Sequence, residues 1–454
     1  MPLLTYRART RLRRLIRSPV VSPRQWLRRV VFWAGAVLVA IVAIAFATLA
    51  DHASSWFVAV QTPRPWIGLI VCPLGLTVSF LLTRYVFPGA QGSGIPQVIA
   101  AQHMTDRGAI ARVLSPRIAV GKIMLTLLGL CCGASIGREG PTVQIGAAIM
   151  HMLGQVVRLP RLELERALVL AGGAAGIAAA FNTPLAGVVF AIEELSHSFE
   201  ARTSGTVLTA VIVAGITTLA LAGNYTYFGH TSAVLDFGRG WIAVVACSVA
   251  GGLGGGLFSA ALVRFARGFS GWLGAWLVRY PVVFAALCGL ALAAIGMASH
   301  GQTYGTGYAQ ARGMVEGTAT LGASFVALKF AATVISYVSG IPGGIFAPSL
   351  SVGAGIGAYL AQFMPEAPEG AVVLLGMVAY FSGVVQAPIT AAVIVMEMTD
   401  NQRVTVPLLA ASFLAFGVSR LVCRRPIYGA LARYFLDAQA KSGAEPAVPE
   451  TERV

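Results

Sequence analysis

Charge is scarce in this sequence. Only 11% of its 454 residues are Asp, Glu, Lys or Arg, against 56% hydrophobic, and the mean hydropathy is +0.75. Soluble domains run near a quarter charged, so a soluble enzyme is excluded. The shortage is also patterned. Stretches without any of these four residues cover 30–50, 65–83, 140–157, 167–192, 203–235, 241–263, 280–311, 330–365, 370–396 and 404–419. A bilayer span needs about 20 predominantly apolar residues, so the expected class is an all-α polytopic membrane protein. An outer-membrane barrel, whose strands alternate over about 10 residues, is excluded by the same stretches.

Lysine is rarer still: of 33 basic residues only Lys122, Lys329 and Lys441 are lysines. Acids number 18, leaving a net charge of +15. Nine arginines and no acid fall within residues 1–29, directly ahead of the first apolar stretch. That position suits a cytoplasmic flank under the positive-inside rule better than a nucleic-acid arm. No nucleic-acid partner is expected, and the N-terminus is placed inside. The apolar stretch is too long for a signal-peptide core. The six cysteines contain no C-x-x-C, and the six histidines form no pair at ligand spacing. No metal, cofactor or disulfide is expected.

Glycine (52) and proline (22) are plentiful, and they fall inside the apolar stretches. Stretches 167–192 and 330–365 are too long for one span and too broken for two regular ones. Irregular backbone at membrane depth is tolerated only where protein or a cavity surrounds it, so short, tilted, discontinuous helices are expected. An internal comparison explains their number. Pro141-Thr142-Val143-Gln144-Ile145-Gly146-Ala147 parallels Pro348-Ser349-Leu350-Ser351-Val352-Gly353-Ala354, and Lys122 and Lys329 stand at equal spacing ahead of the two leading prolines. Asn182-Thr183-Pro184 precedes Glu193 as Gln386-Ala387-Pro388 precedes Glu397, again at equal spacing from each proline. A weaker pair is Gly92-Ser93-Gly94 with Gly305-Thr306-Gly307. The chain therefore divides into a basic segment 1–29, a first transmembrane repeat 30–222, a second 223–438, and a polar tail 439–454 expected to be disordered.

Duplicated halves with broken helices are typical of secondary transporters and related channels. Three Gly/Pro-rich breaks carry the chemistry: Gly92-Ser93-Gly94-Ile95-Pro96, Gly137-Arg138-Glu139-Gly140-Pro141 and Gly343-Gly344-Ile345-Phe346-Ala347-Pro348. Each places a proline where a first helical turn begins, its missing N–H costing nothing there. A buried helix N-terminus offers unpaired N–H groups to an anion. Three of them aimed at one point would hold a dehydrated anion; three ordinary turns are the plain alternative. Glu139 is an anion at such a terminus and can occupy the same place until protonation releases it; a salt bridge with Arg138 is its plain alternative. Glu193 and Glu194 close an apolar run and can be read as interfacial charges.

With these residues in place, the chain resembles the chloride channel/transporter (CLC) family from about residue 25 to 438, in its prokaryotic form without cytoplasmic regulatory domains. The family motifs G-S-G-I-P, G-R-E-G-P and G-x-F-x-P stand at 92–96, 137–141 and 344–348. The resemblance implies an inverted repeat, a multi-pass bacterial inner-membrane protein, a homodimer, and chloride and protons as substrates. It implies chloride contacts from Ser93, from the Ile345 and Phe346 amides and from the Tyr428 hydroxyl. It implies Glu139 as external gate and Glu194 as internal proton-transfer residue. Gln97 departs from the acid that many members carry. The intact Ser93 motif separates the chain from the fluoride-exporting and nitrate-preferring branches. A passive chloride channel on the same fold is the close alternative to a chloride/proton antiporter. An intramembrane serine protease is the remote one, resting on Gly133-Ala134-Ser135-Ile136-Gly137 and His151.

Overall fold

The structure, a computed structural model, describes residues 23–157, 162–196, 201–223, 225–319 and 321–441. Most of the basic N-terminal segment, His197 to Glu200, and the tail after Lys441 lie outside the described residues. Among the described residues every regular element is helical. Seven helical stretches are long and apolar enough to cross a membrane, from Trp26–Gln61 to Gln402–Val422. Five apolar helices are shorter, including Val207–Ala222, Phe346–Ala361 and Pro388–Thr399. Helix Phe346–Ala361 contains 16 residues. At a rise of about 1.5 Å per residue it reaches about 24 Å, less than a hydrocarbon core of about 30 Å. The expected short, broken helices are therefore present.

Two boundaries differ from expectation. The first helix begins at Pro23 inside the basic segment, because proline suits a first turn and the following residues are mostly helix formers. The last helix, Ile427–Lys441, runs past 438, since Ala438, Gln439 and Ala440 all favour helix and nothing before Ser442 breaks it.

The internal repeat reappears in the backbone. Arg138 and Ile345, which cap the helices Glu139–Val156 and Phe346–Ala361, have φ/ψ of −99°/−14° and −109°/−3°. Asn182 and Gln386 both take left-handed φ, 57° and 59°. The caps after them, Thr183 and Ala387, match at −131°/84° and −122°/83°. A left-handed conformation is unfavourable away from glycine, so its recurrence at equivalent places reflects one backbone design used twice.

Packing follows the same plan. A Cβ on Gly353 would meet the Gly376 carbonyl oxygen at 2.7 Å, so Phe346–Ala361 lies backbone to backbone on Glu369–Val385. In the first half a Cβ on Gly176 would meet the Thr142 carbonyl oxygen at 2.6 Å, so Leu162–Phe181 is seated closely on the Glu139 helix. Gly172, which faces Gly146 of the same Glu139 helix, and Gly176 therefore both serve packing within one chain. Helix Glu369–Val385 is buried from Ala371 to Val385 and forms the centre of the main core.

The halves are joined by a reciprocal contact. Glu397 accepts the amides of Leu185 (3.2 Å) and Ala186 (2.7 Å), at the head of helix Pro184–Phe190. Glu193 accepts those of Ile389 (3.1 Å) and Thr390 (2.6 Å), at the head of helix Pro388–Thr399. Each carboxylate satisfies donors that a helix N-terminus leaves free, and each does so for the opposite half.

Candidate functional site

The three breaks meet. The Gly92 amide donates to the Ile341 carbonyl (3.2 Å), and the Gly343 amide donates to the Gly92 carbonyl (3.0 Å). Gly137 and Gly344 exchange two N–H···O bonds of 2.7 Å. Glycine eases this approach: a Cβ on Gly344 would lie 3.1 Å from both the Gly137 oxygen and the Gly140 nitrogen, tighter than most real Cβ contacts.

Buried lysines fix the loops that lead into the site. Lys122 Nζ donates to the carbonyls of Ala90 (2.8 Å), Gln91 (3.3 Å) and Gly92 (2.7 Å), just ahead of Ser93. Lys329 Nζ does the same for Thr303 (2.9 Å) and Gly305 (2.8 Å). The lysine pairing seen in the sequence thus corresponds to one job performed in each half. Gly94 and Gly307, both left-handed, then cap the helices Ile95–His103 and Tyr308–Val315.

The first internal bond of helix Phe346–Ala361 runs from the Ser349 amide to the Ile345 carbonyl at 3.0 Å. The amides of Ile345, Phe346 and Ala347 therefore precede the helical ladder and remain available to an acceptor. Glu139 supplies one. Its Oε2 accepts the Ala347 amide at 3.4 Å, and its Oε1 accepts the Tyr308 hydroxyl. The carboxylate of one helix head thus sits on the head of another, fully buried.

Arg138 does not pair with Glu139. It is held by Asp51 (2.7 Å) and the Ala47 carbonyl (2.5 Å), and its guanidinium lies over the rings of Tyr227 (4.8 Å) and Tyr308 (5.4 Å). The salt-bridge alternative for Glu139 is therefore replaced by a different arginine partner.

Ser93 and Tyr428 are buried at 1% and 0% exposure, and neither hydroxyl makes a protein hydrogen bond of ordinary geometry. Tyr428 lies within electrostatic reach of Ser93, Glu139, Glu194 and Tyr337. A buried hydroxyl without a partner is costly, and here two of them lie close together, with the Tyr428 ring against that of Phe346 at the head of helix Phe346–Ala361. The Phe346 ring is packed against Phe181 (5.9 Å), Phe190 (6.1 Å), Phe381 (4.8 Å) and Tyr428 (5.9 Å). The nearby cations Lys122, Lys329 and Arg138 are engaged elsewhere.

Glu194 is buried to 2% exposure and its Oε1 has no partner. It lies in the π-helical turn Ala191–Ser196, beside the half-buried Glu193 that caps the opposite helix. Gln97 donates to the Gln91 carbonyl at 2.7 Å and so braces the Ser93 loop.

Two further residues of the site, Tyr308 and Tyr227, escaped the sequence reading. Tyr308 directly follows Gly305-Thr306-Gly307, the weaker repeat mate of the serine motif, and that was the available signal. The protease reading fails on geometry. The Ser135 hydroxyl pairs with Thr333 (3.0 Å), and His151 pairs with Gln155 (2.9 Å), so serine and base are not brought together. Among the described residues no group of three His, Cys, Asp or Glu could hold a metal ion.

Fold and site together define a polytopic membrane protein built from two like halves, with broken helices converging on its interior. Residues 74–420 match the voltage gated chloride channel family, and the chain belongs to that family. It is 32% identical over 423 residues to the H(+)/Cl(-) exchange transporter ClcA of Yersinia pestis bv. Antiqua (strain Angola), covering 85% of this chain and 84% of the relative. The H(+)/Cl(-) exchange transporter ClcA of Yersinia pseudotuberculosis serotype IB (strain PB1/+) is 33% identical over 420 residues, with coverage of 85% and 84%. In structure the chain is similar to a slow cyanobacterial Cl-/H+ antiporter, with TM-score 0.77, 24% identity, and coverage of 91% of this chain and 99% of that one. A CLC-type fluoride/proton antiporter gives 0.76 at 22% identity, covering 90% and 99%. These two likenesses carry the fold.

Proposed function

We propose that the protein exchanges chloride for protons across the bacterial inner membrane, with the N-terminus on the cytoplasmic side. One observation carries the reading: the Glu139 carboxylate rests on the Ala347 amide at the head of helix Phe346–Ala361. An ionised carboxylate and a chloride ion are competitors for the same donors. When Glu139 takes a proton it loses its charge and its claim on that helix terminus, and chloride can enter. When chloride leaves, Glu139 gives up the proton and returns. Both ions thus pass through one group.

In this reading Ser93, the Ile345 and Phe346 amides and Tyr428 form the central chloride contact. Glu194, buried and within reach of Tyr428, passes protons between the cytoplasm and Glu139. An ionisable residue buried in a membrane protein is a reason to look for function, and, unlike Lys122 and Lys329, Glu194 keeps an oxygen without a partner. The intact Ser93 motif supports chloride over fluoride as the anion. The exchanger works as a homodimer with a complete pathway in each subunit; the exposed apolar residues Leu185 (49%) and Ile389 (43%), flanking the reciprocal carboxylate contacts, support that face as the meeting surface.

The test is paired measurement of chloride efflux and proton uptake in liposomes. A chloride gradient should drive protons uphill. Glu139→Gln should keep chloride flux while losing its pH dependence and proton movement. Glu194→Gln should keep chloride flux and lose proton movement. A wild-type protein that conducts chloride without moving protons would make it a passive channel.

A further inference from the structure

Tyr308 is a buried, ionisable side chain whose hydroxyl donates to the Glu139 carboxylate, and the exchange scheme gives it no part. Its ring is fixed independently of that bond. It stacks on Tyr227 (5.1 Å, 25°), leans on Phe228 (5.2 Å) and lies beneath the Arg138 guanidinium. Tyr227 in turn shares a hydrogen bond with Tyr225 (2.7 Å). Both tyrosines come from the irregular segment between the helices Ala201–Ala222 and Ile242–Ala266. Arg138 is anchored to Asp51, whose side chain is 54% exposed. The donor is thus presented by a rigid aromatic and cationic stack that reaches the protein surface.

Each neighbour of Glu139 has a distinct role. Arg138 adds positive charge from its own helix head but is bonded to Asp51 and Ala47. Lys329 is bonded to the Thr303 and Gly305 carbonyls. Tyr428 approaches from the last helix, Tyr227 from the linking segment and Asp51 from the first helix, the last two through Arg138. Among the described residues, Tyr308 is the only side chain that donates a hydrogen bond directly to Glu139. A hydrogen bond to a carboxylate is stronger than one to the neutral acid. The hydroxyl therefore favours the ionised, seated form over the protonated, released one.

We propose that Tyr308 is a positioning residue for the external gate: a latch whose hydroxyl holds ionised Glu139 on the helix terminus and so sets the pH at which chloride flux opens. This inference rests on Glu139 being the gate. Removing the donor leaves the seated carboxylate less favoured, so protonation and opening should occur at lower proton concentration. Tyr308→Phe keeps the ring, and the pH midpoint of chloride flux should move upward by about one unit, a tenfold change in proton concentration.

The experiment measures chloride flux against pH in liposomes for the wild type, Tyr308→Phe, Glu139→Gln and the double variant. The upward shift should appear in Tyr308→Phe and vanish in the Glu139→Gln background, where there is no carboxylate to latch. An unmoved midpoint in Tyr308→Phe, with pH dependence lost in Glu139→Gln, overturns the latch and leaves the gate intact. If Glu139→Gln keeps its pH dependence, the gate itself fails and the latch with it. An equal flux change in both backgrounds also overturns the proposal, because the hydroxyl would then act on the pathway and not on Glu139. Tyr308→Leu, which removes the same donor, is read by the same criteria if Tyr308→Phe does not reach the membrane.

Discussion

Replacing either reciprocal glutamate by glutamine tests whether Glu193 and Glu397 fasten the two halves. Each carboxylate accepts two amides from the opposite half, at 3.2 and 2.7 Å for Glu397 and at 3.1 and 2.6 Å for Glu193. Glutamine fills the same volume but keeps one acceptor and turns an N–H₂ toward the other amide. Losing a side-chain cap costs about 0.5–2 kcal/mol, and losing the charge at a helix N-terminus adds about 0.3–1 kcal/mol. Both side chains are half-buried, so solvent recovers part of this. We expect about 1 kcal/mol from each single substitution. Because the two sets of distances nearly coincide, the two losses should be nearly equal. The assay is unfolding of the purified protein in mixed detergent micelles, followed by tryptophan fluorescence, with chloride flux measured alongside. A silent Glu397→Gln beside a Glu193→Gln costing more than about 2 kcal/mol would refute a symmetric clamp. Loss of proton uptake in Glu193→Gln, with stability and chloride flux unchanged, would make Glu193 a proton carrier.

Other outcomes follow from single sites. Ser93→Pro removes an unpartnered hydroxyl from the proposed chloride contact, so nitrate should compete better against chloride; an unchanged flux ratio would take Ser93 out of the site. Lys122→Met and Lys329→Met each strand two or more carbonyls at least partly out of water, so both should lose about 2 kcal/mol of stability. Lys122→Met should in addition weaken chloride binding measured by calorimetry, because the carbonyls it holds lead directly into Ser93. Equal chloride affinity in both lysine variants would count against that link.

The sequence by itself determined the class, the repeat and the breaks. Charge-free stretches reveal membrane helices because burying an unpaired charge in hydrocarbon is costly. Glycine and proline show where helices must stop, since each acts on its own backbone. The repeat spacing located the two lysines and the two carboxylates without saying what they touch. Those contacts were decided by tertiary structure. Glu193 looks interfacial in the chain because its partners, the Ile389 and Thr390 amides, belong to the other half of the sequence. Arg138 stands beside Glu139 in sequence, yet successive residues at a helix head point apart, and it binds Asp51 instead. Tyr308 had one local signal, its place directly after Gly305-Thr306-Gly307, and that says nothing of what its hydroxyl touches. Its hydroxyl meets Glu139 only because two helix heads from opposite halves are brought together, with the segment between the helices Ala201–Ala222 and Ile242–Ala266 folded over them. A local rule reads what one stretch of backbone must do; which donor faces which acceptor is set by the packing of stretches that the sequence keeps far apart.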